Sequence, residues 1–242
     1  QPLMELKHIS KSFGAQQVLT DISLVLEEGH TLAVLGKSGC GKTTLLRIIA
    51  GLELADNGEI WLNGKNMSGV AVHKRNAVYL NQEPLLFPHM TASANIAYGL
   101  EVRGVPASDI RRQTEQMLAE LGLEDQGHKR PHQLSGGQRQ RVSFGRAMII
   151  HPAVLLLDEP FGNLDPDTRK QMQELFMRLS TAHRITSLLV THDLKEAILT
   201  GQQTAFMESG VLTMYPDTGA FLSDPRTGGQ DEMAFWKKYN QS

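Results

Sequence analysis

The sequence predicts an α/β fold with a largely parallel sheet, a small antiparallel β layer near the N-terminus and an inserted helical subdomain. Three observations carry that prediction. First, short apolar runs at Thr31–Leu35, Val154–Leu157 and Ser187–Val190 alternate with longer amphipathic stretches, the pattern of strands joined by helical crossovers. Second, Leu3–Leu6, Val18–Leu26 and Glu59–Leu62 read as strands joined by turns, with Asn63-Gly64 as a turn signal. Third, the middle of the chain is helical. In Arg111–Leu121, the apolar Met117, Leu118 and Leu121 sit among charged residues, and Gly122 fits a C-terminal stop.

The 242 residues are read as one domain, since domains hold roughly 100–200 residues. The helical subdomain is placed at about 83–150, with no Pro/Gly/Ser-rich linker on either side. The tail, about 213–242, is rich in Gly, Pro and Asp and reads as loops around a short terminal helix containing Phe235 and Trp236. A spanning helix needs about 20 mostly apolar residues, and the longest such run is Ala153–Leu157. Gln1–Ser12 lacks the basic-then-apolar pattern of a signal peptide, which predicts a chain kept in the cytosol. One cysteine forms no internal disulfide, and no Cys/His cluster has zinc spacing. With 24 Lys+Arg against 26 Asp+Glu, the charge balance argues against a nonspecific nucleic-acid binder.

Strand Thr31–Leu35 runs into Gly36-Lys37-Ser38-Gly39-Cys40-Gly41-Lys42-Thr43, followed by Thr44 in the helix expected over Thr43–Ala50. This fits G-x-x-x-x-G-K-[ST], the P-loop. Gly36, Gly39 and Gly41 let backbone N–H groups turn toward phosphate oxygens. Lys42 offers a charge to the β- and γ-phosphates, Thr43 a hydroxyl to Mg²⁺, and the helix its positive end. The fold is therefore expected to be a P-loop NTPase core. Strand Val154–Leu157 delivers Asp158 and Glu159, a Walker B pattern. Asp158 is expected to hold Mg²⁺ through water, and Glu159 to polarise the attacking water as general base. Asp165-Pro166 looks like an N-cap with proline at the first helical position. Ser135 with Gln138 three residues on has the form of a capping box. Gly136 and Gly137 leave the N–H groups of that helix start open to an anion. One chain thus carries two phosphate-binding helix starts.

Leu134-Ser135-Gly136-Gly137-Gln138, in order with the P-loop, Gln82 and His192, resembles the signature of the nucleotide-binding subunit of ATP-binding cassette transporters. The resemblance covers about residues 3–212. It implies that two copies face head to tail, and that Ser135–Gln138 of one closes over the γ-phosphate held by the other. It implies ATP and Mg²⁺ as cofactors. Phe13, in Lys11-Ser12-Phe13-Gly14, matches an adenine-stacking aromatic; the other reading is a core phenylalanine. Gln82 matches the glutamine that touches Mg²⁺ and links the ATP site to the helical subdomain. Asn163-Leu164-Asp165 matches the loop that crosses to the partner, and His192 the histidine at the γ-phosphate and attacking water. Asn81 and the run Leu199–Thr204 depart from many relatives without touching these roles.

Leu86–Thr91, Asn95, Gly99-Leu100 and Arg103–Pro106 look like the ATPase subunits of importers for polyamines, iron, sulfate or maltose, here without their C-terminal regulatory barrel. That resemblance implies a transmembrane permease subunit docking on the helical subdomain, a separate solute-binding protein and a position on the cytoplasmic face of the membrane. An exporter subunit shares every catalytic motif. A cassette ATPase of DNA repair or translation needs two cassettes or long coiled-coil insertions, and the 134–138 run argues against a kinase or GTPase. Cys40, inside the phosphate loop near Lys42 and a helix N-terminus, is expected to have a lowered thiol pKa; the other reading is a small buried filler.

Overall fold

The structure is a computed structural model and describes residues 2–232 and 234. The chain opens with β1 (Pro2–Phe13) and β2 (Gln16–Glu27), followed by β3 (Thr31–Gly36) and α1 (Lys42–Ala50). β4 (Asn57–Leu62), β5 (Lys65–Asn66) and β6 (Ala77–Leu80) come next. Then α2 (Ala92–Val102), α3 (Ala107–Glu120) and α4 (Gly136–Met148) precede β7 (Val154–Asp158). α5 (Pro166–Ala182), β8 (Ser187–Thr191), α6 (Leu194–Thr200), β9 (Gln203–Glu208), β10 (Val211–Tyr215) and α7 (Thr218–Ser223) complete the order.

Two sheets form. The larger runs β10-β9-β3-β8-β7-β6 and is parallel except at its β10 edge. β3 and β8 are buried along their whole length, and β7 up to Asp158. This follows from uninterrupted apolar runs, because a parallel sheet is covered on both faces. The smaller sheet, β2-β1-β4-β5, is antiparallel. One core lies between it, α1 and the larger sheet, built from residues such as Leu6, Ile22, Leu45 and Val190. A second joins the larger sheet to α2–α5, where Phe144, Phe161 and Phe176 pack ring on ring. Residues 83–150 hold α2, α3 and α4 and no strand.

Three elements differ from the sequence expectation. β1 runs to Phe13 rather than stopping at Leu6, passing through a bulge at His8, whose φ is +55°. The irregularity breaks the period-two pattern that marks a strand in sequence. α3 begins at Ala107, before Arg111, because Pro106 sets its entry and Asp109 occupies the first turn. The segment expected as loops from 213 instead carries the end of β10, paired with β9, and then α7. That helix is capped by Asp217 and anchored by the fully buried Phe221. The terminal helix expected around Phe235 and Trp236 lies outside the described residues. Among the described residues, no helix is long and apolar enough to cross a membrane.

Candidate functional site: a phosphate loop facing an acid–histidine pair

Three adjacent parallel strands end at one edge of the larger sheet. β3 delivers the phosphate loop, β7 delivers Asp158 and Glu159, and β8 delivers His192. Ligands of open α/β sheets bind at such carboxyl ends.

The phosphate loop is shaped by its glycines. A Cβ on Gly36 would meet the Met207 carbonyl at 2.5 Å, so the loop can leave β3 only with glycine there. Gly41 has φ +111°, and a Cβ would meet the Val18 carbonyl at 2.8 Å. α1 starts here with no side chain capping it, which leaves its first N–H groups for an anion. The cleft of 230 Å³ in front of it is lined by Val18, Ser38, Gly39, Gly41, Lys42, Thr43, Thr44 and Glu159. Lys42 is buried and donates to the carbonyls of Gly36 at 2.6 Å and Lys37 at 3.0 Å.

Glu159 faces that lysine: its Oε1 lies 3.9 Å from Lys42 Nζ. Its Oε2 lies 2.9 Å from His192 Nδ1. Its backbone is held at φ +46°, and its N–H donates to the Val190 carbonyl at 3.0 Å. A left-handed non-glycine residue costs about 1–2 kcal/mol, and here it aims the carboxylate at both Lys42 and His192. Asp158 accepts from Thr43 Oγ1 at 3.1 Å and from the Tyr79 hydroxyl at 2.7 Å. Burial, and then this bond to Asp158, push the Tyr79 phenol far above its ordinary value, so it stays a donor.

The capping box at the second helix start forms with the spacing that the sequence suggests. The Ser135 hydroxyl accepts from Gln138 N–H at 3.2 Å, and Gln138 Oε1 accepts from Ser135 N–H at 2.9 Å. Gly136 lines a separate cleft of 330 Å³ with Gln82, Asn163 and Leu164, and that cleft shares no residue with the phosphate-loop cleft. Within one chain the two helix starts are therefore not joined. Gln82 is not in hydrogen-bond contact with Thr43 or Asp158 either; its Nε2 donates to Asn163 Oδ1 at 3.0 Å. Asp165 caps α5 by accepting from Thr168 N–H at 3.1 Å. Phe13 is 48% exposed at the end of β1, which removes the core reading.

Cys40 departs from expectation. Burial pushes its thiol up, and this outweighs the charge of Lys42 acting downward.

Sequence reasoning missed several residues. Tyr79 holds Asp158. Arg169 on α5 donates to the carbonyls of Gly162 at 3.4 Å and Leu164 at 3.1 Å, and pairs with Asp193 at 3.7 Å. It thereby ties the Asn163–Asp165 loop to the residue after His192. Glu196 on α6 is buried, with Oε1 lacking a partner, and burial raises its pKa to about 8. None has a local sequence signal, since each acts across elements.

Thr43 and Asp158 present hard oxygen donors in mutual contact beside the phosphate loop. Mg²⁺ takes one or two protein oxygens and completes its shell with phosphates and waters, so this pair fits it. Among the described residues, no group of three or more His, Cys, Asp or Glu side chains could form an all-protein metal site.

Comparison with known proteins agrees with this geometry. Residues 19–162 match the family described as ABC transporter. The sulfate/thiosulfate import ATP-binding protein CysA of Gloeobacter violaceus is 45% identical over 203 residues, 84% of this chain and 59% of that protein. The spermidine/putrescine import ATP-binding protein PotA of Vibrio vulnificus is 41% identical over 226 residues, 93% of this chain and 60% of that protein. The chain thus spans about three fifths of the length of these curated relatives. With more than half of its residues matched by that family and these relatives aligned over most of its length, the chain belongs to the ABC transporter family.

Proposed function

We propose that the chain is the ATP-binding and ATP-hydrolysing motor subunit of a transporter, working as a head-to-tail pair with a second copy of itself. The observation that carries this reading is that the two helix starts open into separate clefts. One chain holds a phosphate loop facing Glu159 and His192, while its Ser135–Gln138 helix start opens elsewhere. A second copy supplies the missing half of each site.

In this reading the triphosphate displaces the Gly36 and Lys37 carbonyls from Lys42, which then neutralises β- and γ-oxygens. The N–H groups of residues 37–44 hold the phosphates, and Phe13 stacks on adenine. Glu159 accepts the proton of the attacking water as its oxygen bonds to the γ-phosphorus. The bond from that phosphorus to the bridging oxygen breaks, and ADP leaves. His192 orients the water and holds the Glu159 carboxylate in place. Thr43, Gln82 and, through water, Asp158 would hold Mg²⁺, which when bound would supply charge neutralisation at the phosphates. Positioning and fixed charge carry such transfers.

The import roles named for the CysA and PotA relatives support import as the direction. A transmembrane permease subunit then docks on the 83–150 helical segment, a separate solute-binding protein delivers cargo, and the chain sits on the cytoplasmic face of the membrane.

The test is Glu159→Gln. The variant should bind ATP, hydrolyse it at least about 100-fold more slowly and elute as a dimer with ATP on size exclusion. A variant that turns over normally removes Glu159 as the base. One that stays monomeric with bound ATP overturns the paired-site reading.

A further inference from the structure

Lys11 is a lysine with no room to be an ordinary surface charge. It lies on β1, two residues before Phe13, and only 11% of its side chain is exposed. Its ammonium is 3.1 Å from Glu53 Oε1 and 3.3 Å from Asp56 Oδ1. The hydrogen bond to Glu53, aided by Asp56, holds its pKa above the ordinary lysine value despite burial. The same ammonium lies 5.0 Å from the centroid of the Phe13 ring, inside the roughly 6 Å reach of a cation–π contact.

These contacts fasten the tip of the β1–β2 hairpin to the segment that follows α1. Asp56 Oδ2 accepts from the Ser12 N–H at 2.6 Å, and Asp56 N–H donates to the Ser10 carbonyl at 2.9 Å. Glu53 N–H donates to the Arg47 carbonyl at 3.2 Å, at the end of α1. The start of α1 holds the phosphate cleft, and Val18 of the same hairpin lines that cleft. A cation–π contact occupies one face of a ring, and Phe13 remains half exposed.

We propose that Lys11 is a positioning residue for a purine base: it pins the Phe13 ring from one face and leaves the other to stack on the nucleotide. The inference rests on the reading of Phe13 as the adenine-stacking residue. A ring ordered before binding loses less side-chain freedom when the base arrives. Lys11 therefore acts on the base end of the nucleotide and leaves the phosphate end alone. Glu53 and Asp56 act through it, as the anchors that fix its head.

The test separates base from phosphate. Dissociation constants are measured by calorimetry for ATP and for inorganic tripolyphosphate, on the full chain and on Lys11→Met, Lys11→Gln, Lys11→Arg and Phe13→Ala. Lys11→Gln keeps a hydrogen-bond donor for the half-exposed carboxylates while removing the charge, so it stays folded if Lys11→Met does not. Lys11→Met and Lys11→Gln should weaken ATP roughly three- to tenfold and leave tripolyphosphate within about twofold. Lys11→Arg, which keeps the cation over the ring, should restore ATP binding. Phe13→Ala should weaken ATP at least as much as Lys11→Met. If Phe13→Ala weakens ATP while both charge-removing variants match wild type, the role of Lys11 is overturned and the Phe13 reading stands. If Phe13→Ala has no effect, both fall. Equal weakening of ATP and tripolyphosphate by Lys11→Gln would also overturn the proposal, because it would put Lys11 on the phosphate end.

Discussion

Glu159 Oε2 lies 2.9 Å from His192 Nδ1, joining the end of β7 to the end of β8 across residues that are 33 apart in sequence. Glu159 Oε1 lies 3.9 Å from Lys42 Nζ, so one carboxylate bridges the histidine and the phosphate-loop lysine. Removing the imidazole frees the carboxylate to turn toward Lys42. His192→Ala should therefore lower kcat on the order of 100-fold and change KM for ATP little. Steady-state hydrolysis checks this, and an unchanged kcat removes His192 from the chemistry.

Lys42 is buried and, among the described residues, is bonded to the backbone carbonyls of Gly36 and Lys37 and, at longer range, pairs with Glu159. Its charge is therefore available to an incoming triphosphate. A charge-assisted hydrogen bond contributes roughly 1.5–3 kcal/mol, so Lys42→Ala should weaken ATP about 10- to 100-fold. Equilibrium binding measures it; unaltered affinity would contradict the phosphate-loop assignment.

Glu196 links pH to stability. Its carboxyl is buried, with one oxygen unpartnered, and its pKa is raised to about 8. The groups facing it are Thr191, whose side chain bonds to it, Asp193, Arg169 and Glu159. In the unfolded chain it titrates near the ordinary glutamate value, about 4.3. Between those values the native state holds a proton that the unfolded state has lost, so this contribution to stability falls as pH rises from about 4.3 to about 8. Glu196→Gln should stabilise the chain at pH 8.5 relative to wild type, on the order of 2–4 kcal/mol. The gain should shrink toward pH 4.5. Urea unfolding at the two pH values decides it, and a gain independent of pH would refute the titration.

Cys40 shows how burial can reverse an expectation. With the thiol raised, alkylation by iodoacetamide at pH 7 should be slower than for an unperturbed cysteine. It should speed up about tenfold per pH unit toward pH 9, as the thiolate fraction grows. ATP in the adjacent cleft should slow it further. Fast labelling at pH 7 that ATP leaves untouched would contradict both points.

The parts of this site readable from sequence are those whose chemistry lies in consecutive residues. The 36–43 loop, the 134–138 capping box and the Asp158-Glu159 pair each place their groups by local backbone geometry, so their spacing determines them. The three buried parallel strands were legible for the same reason: an apolar run without alternation fits a sheet covered on both faces. Tertiary structure alone decided the rest. Which residues meet Asp158, what Arg169 ties together, why Lys11 sits over Phe13 and which way the Cys40 thiol shifts all depend on groups brought together from distant positions and on the water that packing removes. A sequence fixes the identity of a charge, but its energy is set by the distance to its partners and by the solvent between them.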